Sequence, residues 1–446
     1  MNFNFTGKIA PMKETEKFKP YSVDTWDTSG WTRKQLLFSA VDGDSTHVMT
    51  VQGGTFLSKP DNTVKTMTAI DMGEGEKPKY EWIEIPWNDR LKPENVKKVV
   101  RFRKWTIDLN PVGYRKKITD AYMSLKDKGV TDEILKSVGL TSETEVEDAY
   151  KKAKDKYFEF IAEWDFVEQM HKIVYDPEYQ SKKFHINGTI EKQLSEKNLD
   201  AGKVPFYTAL RPQNIRLAGD DEEESCVGSA LLHFTNGAVD DASLEEKGKY
   251  YVKAYTMEYA SSRKNNGKNG NVPAEFQLVV PRYGIYNKNT KKPDESGKLS
   301  EYIIEKQFTV DDYKVYAMGV EFDMIEGREK VAVTEDMLDD NQREMVELGI
   351  VSMDEVVREM GGSAYGDKII EYRYKGQMYG YTKGRQETAY TEDDLVLRPL
   401  ALLALEDKPD KGEDAEDVED ELAGIFNVEK VSSSKKEEDE DDDLFA

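Results

Sequence analysis

Val138-Gly139-Leu140-Thr141-Ser142-Glu143-Thr144-Glu145-Val146 and Leu348-Gly349-Ile350-Val351-Ser352-Met353-Asp354-Glu355-Val356 align without a gap. Gly139 matches Gly349, Ser142 matches Ser352, Glu145 matches Glu355 and Val146 matches Val356. Upstream, Val130-Thr131-Asp132-Glu133-Ile134-Leu135 matches Val333-Thr334-Glu335-Asp336-Met337-Leu338. The lag is 210 residues in the first pair and 203 in the second, so the later copy carries seven more. A third pair, Phe3 to Ile9 against Phe184 to Ile190, alternates apolar positions with Gly7 and Gly188 in register. Three matches in one order predict a unit used twice. The competing reading is that Thr-x-x-x-Leu and Ser-x-x-Glu recur only because they start helices.

The chain divides around these stretches. Residues 1–109 read as strands: Phe3 to Ile9, Lys34 to Val41, His47 to Val51 after the Asp42-Gly43-Asp44 turn, Tyr80 to Ile85, and a long strand from Val99 to Leu109. Residues 113–181 are helical by spacing, with Tyr157 to Phe166 in the last helix, and Thr131 and Thr141 or Ser142 as caps. Strands resume at Phe184 and recur at Val204 to Leu217, Val227 to Phe234, Tyr250 to Tyr259, Glu275 to Val280, Tyr302 to Val310 and Tyr313 to Phe322. A second helical block covers about 330–362, and a hairpin around Gly376 follows. Long uneven loops between about five strands suit a Greek-key barrel of the OB type. The expected class is mainly β with helical insertions (α+β). Two tandem OB-fold-like Greek-key barrels, related by internal duplication, would occupy 1–182 and 183–405. Residues 406–446 form a disordered acidic tail.

Charge is unevenly placed. The 446 residues carry 87 acidic and 63 basic side chains, a net of −24. From Glu406 onward there are 18 acidic and 5 basic, a net of −13, which leaves −11 on the other 405. The barrels are thus much less anionic than the whole. Cys226 is the single cysteine, so no internal disulfide is possible, which fits a reducing compartment. No stretch has the length of a membrane span, and the start MNFNFTGKIAPMK lacks the apolar core of a signal peptide. The expected location is cytoplasmic.

Little in the chain supports catalysis. Four histidines, His47, His171, His185 and His233, are isolated, and one cysteine permits no Cys/His zinc site. Gly361 to Lys368 lacks the Lys-Ser/Thr ending of a phosphate loop. Gly73 to Glu76 is acidic, and Asp220 to Glu224 reads as a solvated loop. The chain is expected to be no enzyme, with no cofactor and no metal.

Binding an unpaired nucleic acid strand requires cations along the phosphates and rings for the bases, in no fixed spacing. The strand regions hold that mixture. Arg101, Arg103 and Trp105 would share one face of the long strand, with Lys104 beside them. Trp31, Arg33 and Lys34 form a second group. Arg263, Lys264 and Lys268 lie in a flexible basic loop between two strands. Arg282 with Tyr283, and Tyr372, Arg373 and Tyr374, complete the set. The bland alternative is that Tyr, Arg and Lys simply suit half-buried pleated surfaces.

The tail ends in Asp441-Asp442-Asp443-Leu444-Phe445-Ala446. This resembles the tails of bacterial and bacteriophage single-stranded DNA-binding proteins, an acidic run followed by an apolar or aromatic residue. The bacterial pattern has Pro before a terminal Phe, whereas here Leu444 precedes Phe445 and Ala446 follows. The resemblance implies a protein, phage-encoded and acting in the host cytoplasm, that coats single-stranded DNA in replication, recombination and repair. It further implies that the tail docks replication and recombination proteins through Phe445 and the carboxylates. RNA is the other ligand that stacking would accept, and the helical inserts leave self-association along the strand open. The alternative is a non-enzymatic β-rich protein-interaction or virion-associated protein with an acidic surface.

Overall fold

A computed structural model describes residues 1–396 apart from 16–17, 28, 44, 60, 71–77, 130, 195–205, 241, 260–270, 288, 310–313, 332–337, 339, 349–350, 354–363, 379 and 383. The chain is mostly β. Strands β1 (Asn2–Pro11), β2 (Tyr21–Thr25), β3 (Trp31–Asp42) and β4 (Ser45–Phe56) come first. The hairpin β5 (Thr63–Ile70) and β6 (Lys79–Pro86) follows, then β7 (Trp105–Asp108), β8 (Tyr157–Phe160), β9 (Lys183–Leu194) and β10 (Phe206–Leu217).

Five of these close a ring. β1 pairs with β3, β3 with β4, β4 with β10, β10 with β9, and β9 with β1. All pairs are antiparallel except β4 with β10, which meet in parallel at Met49 and Leu210. Alternate side chains fill the interior: Phe3, Phe5, Leu36, Phe38, Met49, Val51, Phe184 and Ile186 are all buried. Helix Glu163–Tyr175 packs against β1, β3 and β4 with Phe166, Val167, Met170 and Ile173, the apolar stripe its spacing predicts.

The second half closes another ring. Strands β11 (Ser225–Thr235), β12 (Val239–Asp240), β13 (Lys249–Tyr259), β14 (Asn271–Pro281), β15 (Tyr286–Asn287), β16 (Lys292–Pro293), β17 (Val315–Val331), β18 (Ala364–Gln377) and β19 (Gln386–Glu387) follow in order. β11 pairs with β13, β13 with β14, β14 with β18, β18 with β17, and β17 with β11. The parallel contact is again the third strand with the fifth, Leu278 with Tyr372. Both rings therefore run in the order first, second, third, fifth, fourth, a Greek-key arrangement compatible with the OB fold. Helix Lys298–Ile303 runs on into a π turn, Ile304–Phe308, and buries Ile303, Ile304 and Phe308 between the third and fourth strands. No helix among the described residues is long and apolar enough to cross a membrane.

The rings are joined through β1. One edge of β1 pairs with β9 along Asn2 to Lys8. The other edge pairs with β11 from Asn2 to Thr6, then with β3 from Lys8 to Pro11. Gly7 stands at the switch, where a Cβ would collide with the Val41 carbonyl oxygen of β3. Side chains also cross the joint. His47 is fully buried, with Asp42 Oδ1 at 2.9 Å from Nε2 and Glu326 Oε2 of the second ring at 3.7 Å from Nδ1. Burial opposes a charge there, but the acidic neighbours and Cys226 outweigh it and hold His47 up at about 11.

Several sequence expectations change. A boundary between 182 and 183 would cut the first ring, because β9 and β10 pair with β1 and β4; the crossing lies in residues 218–224. The stretches Phe3 to Ile9 and Phe184 to Ile190 are antiparallel neighbours in one ring, Phe5 opposite Ile186, and not counterparts in two units. They look alike because both face one core. Val138 to Val146 joins helices Asp132–Val138 and Glu143–Asp155, between the third and fourth strands of its ring. Its partner follows helix Asp340–Glu347, between the fourth and fifth strands of the other ring, and residues 349–350 and 354–356 lie outside the described residues. In the first copy the likeness is helix capping. Thr131 accepts from Ile134 N, Ser142 accepts from Glu145 N, and the Glu145 carboxylate accepts from Thr141 N. The expected strand over Val99 to Leu109 breaks: Val99 stays buried under the β5–β6 hairpin, and Arg101–Arg103 forms a 3-10 turn before β7. Tyr157 to Phe160 is a strand paired with β7, Tyr302 to Phe308 is helical, and β18 passes through Gly376 without turning back.

Gly7→Ala should lower stability by about 3 kcal/mol, because the obstacle is backbone, while Lys8→Ala next to it stays within about 0.5 kcal/mol. Urea denaturation of the two variants measures both.

Candidate nucleic-acid interface

Period-two alternation gives each ring an inner and an outer face. On β3 the even positions Thr32, Leu36, Phe38 and Ala40 are buried, so Trp31 and Arg33 face outward. Register sets Trp31 opposite Phe56 and Arg33 opposite Gly54. The Trp31 and Phe56 rings meet edge to face at 4.8 Å. The Trp31 indole occupies the space a side chain at Gly54 would need. Arg33 lies 5.1 Å from the exposed Trp26 ring, and Lys59 lies 4.0 Å from Phe56. Asp24 reaches Arg33 at 3.4 Å and partly neutralises it.

The second and third strands of the other ring, β13 and β14, carry a comparable face. Tyr250, Val252, Ala254 and Thr256 are buried, which turns Tyr251, Lys253 and Tyr255 outward. Lys247 lies 5.2 Å from the Tyr251 ring and Lys253 lies 5.5 Å from Tyr255. Glu275 pairs with Lys253 at 3.1 Å and raises the lysine pKa. The segment joining β13 to β14 contains Arg263, Lys264 and Lys268, which lie outside the described residues.

A third group sits on the β5–β6 hairpin. Tyr80 and Trp82 point from one face of β6, and the 3-10 turn brings Phe102 edge-on to Tyr80 at 5.2 Å. The exposures of Tyr80, Trp82 and Phe102 are 45%, 37% and 50%. Arg103 lies 4.9 Å and Lys65 6.0 Å from the Trp82 ring, and Arg101, the first residue of the 3-10 turn, is exposed.

The remaining expected site residues go elsewhere. Lys34 faces opposite to Arg33, 4.1 Å from the Trp164 ring and 2.8 Å from Glu168, and is not free to meet a phosphate. Lys104 is buried and paired with Glu159 at 3.6 Å. Trp105 is half-buried against the main core. Burial pushes the Glu163 carboxyl up to about 7, and a hydrogen bond from Trp105 opposes that rise. Tyr372 and Tyr374 are 8% and 4% exposed. Tyr372 stacks on Phe276 at 4.4 Å and bonds Thr208 of the first ring at 2.9 Å, and Tyr374 donates to Gln307 at 2.5 Å. Arg373 points outward but is paired with Glu371 at 2.9 Å. Arg282 is half-buried against the exposed Tyr283, 5.2 Å from its ring. Asp441, Asp442, Asp443, Leu444 and Phe445 lie outside the described residues.

Sequence reasoning passed over Trp26, Phe56, Tyr80, Trp82, Tyr251, Lys253 and Tyr255 as site residues. One signal was present for Tyr80 and Trp82: β6 is apolar on both faces, and a two-stranded hairpin can bury only one. Known protein families, curated proteins and solved structures give no match to the chain.

Tyr372→Ala should cost about 4 kcal/mol in urea denaturation, as for a fully buried ring. Trp82→Ala should cost less than about 1 kcal/mol, as for a surface side chain.

Proposed function

We propose that this chain is a sequence-independent single-stranded DNA-binding protein, built from two OB-type barrels, that makes and breaks no covalent bond. The observation that carries the reading is the pairing of rings with cations on the outer second–third strand face of both barrels. These faces are Trp31, Arg33 and Phe56 in the first and Tyr251, Lys253 and Tyr255 in the second. In OB folds that face and its adjoining loops bind oligonucleotides. Aromatic rings stack on any base, and cations follow the phosphates without reading sequence. Arg263, Lys264 and Lys268, in the β13–β14 connection, would add positive charge for the phosphates. The nearby carboxylates, Asp24 and Glu275, hold the cations in place and would yield them to phosphate.

The role would be to coat exposed strands in phage DNA replication and recombination. The tail from Asp441 to Phe445 would recruit partner proteins, with Phe445 as the apolar plug and the carboxylates meeting a basic rim. Strong net negative charge on the whole chain is compatible with this, because more than half of it sits from Glu406 onward.

A fluorescence titration with poly-dT, poly-dA and duplex at two salt concentrations tests the reading. Both single strands should bind, duplex should bind far more weakly, and affinity should fall about tenfold or more as salt rises. No affinity for single strands at low salt would favour the protein-interaction alternative. Removing the residues after Val431 should leave strand binding intact or stronger and abolish partner docking; loss of strand binding on that truncation would reassign the tail.

A further inference from the structure

The β5–β6 hairpin is anchored from beneath. Val64, Ile83 and Ile85 pack on Val96, Val99 and Ile161 as a small separate core. Thr68 bridges to Val99, Val100 N donates to the Met67 carbonyl at 3.0 Å, and Thr68 Oγ1 donates to the Lys98 carbonyl at 2.7 Å. The chain then turns through Arg101–Arg103, and Gln213 Nε2 of β10 holds the turn by its Phe102 carbonyl at 3.0 Å. The turn is thereby fixed with Phe102 and Arg103 beside Tyr80 and Trp82. Three rings stay exposed, whereas Thr66 and Ile85 on the opposite face of the same hairpin are buried and Val64 and Ile83 half-buried.

Both signs of charge occur on the hairpin: Glu84 shares the face of the rings, and the β5–β6 connection contains Asp71, Glu74 and Glu76, outside the described residues. Among the described residues, no carboxylate lies within ion-pair distance of Lys65, Arg101 or Arg103. This differs from Arg33 and Lys253, which each hold one. Glu84 stands across from Lys65 in the register and is the acidic side chain on that face. In a chain of net charge −24, a patch with three cations unmatched by ion pairs and three exposed rings fits an anion that carries flat apolar groups. The hairpin also follows directly in the chain from the strand that ends the first barrel's outer face. Phe56 ends β4, Lys59 lies over its ring, and a short turn held by Lys59 N to the Phe56 carbonyl leads into β5. Each arm of the hairpin has eight residues, a reach of about 26 Å.

We infer that the outward face of the β5–β6 hairpin is a second stacking platform, taking the bases of an unpaired strand as it leaves the β3–β4 face. Tyr80, Trp82 and Phe102 supply the rings, and Lys65, Arg101 and Arg103 meet the phosphates. The inference rests on the strand-binding reading above and extends it to a site outside the barrel.

The test is fluorescence anisotropy of the full chain with a labelled long oligo-dT and a labelled duplex. Tyr80→Ala combined with Trp82→Ala should weaken oligo-dT binding about tenfold, the loss of one or two stacked bases. Lys65→Gln with Arg101→Gln and Arg103→Gln should flatten the dependence of log affinity on log salt by about two. Tyr80, Trp82, Lys65 and Arg101 are exposed and Arg103 is half-buried, so the melting temperature, measured beside each titration, should fall by no more than about a few degrees. The control, Arg33→Gln with Trp26→Ala, probes the barrel face. If the control loses affinity while the hairpin variants bind oligo-dT like wild type, the platform is wrong and the barrel reading stands, with the hairpin left to a protein partner. If the ring variant weakens duplex as much as oligo-dT, stacking on unpaired bases is wrong. If wild type binds no oligo-dT, the barrel reading itself fails and the platform falls with it.

Discussion

A β-strand has two hydrogen-bonding edges, and β1 has to serve three partners. It gives one edge to β9 and divides the other between β11 and β3. The division makes one molecule of two closed rings, because the β11 segment belongs to the second ring and the β3 segment closes the first. Gly7 permits it, since only a residue without a side chain lets the Val41 carbonyl approach where the partner changes. The buried His47, Asp42 and Glu326 group and the Tyr372 to Thr208 contact then lock the same joint from the side chains.

Once the rings close, the described side chains of their interiors are mostly Phe, Leu, Ile and Val. The proposed binding faces are outside. On both second–third strand faces, alternation turns aromatic and basic side chains outward as a by-product of burying the other set. Neighbouring carboxylates hold some of those cations, and the hairpin group escapes that pairing. The distribution of partners among cations, more than the net charge, separates surface that is ready for a polyanion from surface that is already neutralised.

Strand positions were largely legible from alternation, and helix starts from Thr131 and Ser142. Ring closure was not, because it depends on pairings between residues far apart, such as Met49 with Leu210. The repeat misled for a physical reason: capping chemistry and a shared core both produce similar short strings without common position. Among the candidate site residues, Trp31, Arg33, Arg101, Arg103 and Tyr283 reach the surface. Lys34, Lys104, Tyr372 and Tyr374 do not, since composition cannot tell an outward Lys or Tyr from one whose polar tip finds a partner inside. The turn at Arg101–Arg103 was hidden because a run of alternating basic and aromatic residues looks like a strand until the burial of Val99 and the pairing of Trp105 both have to be met.

Hydrogen–deuterium exchange of the full chain with and without saturating oligo-dT tests the central claim most directly. The account predicts slowed exchange concentrated on β3–β4, on β13–β14 and on the β5–β6 hairpin, with the 114–155 helices unchanged. Protection confined to those helices, or none at an oligonucleotide concentration well above that of the protein, would contradict it.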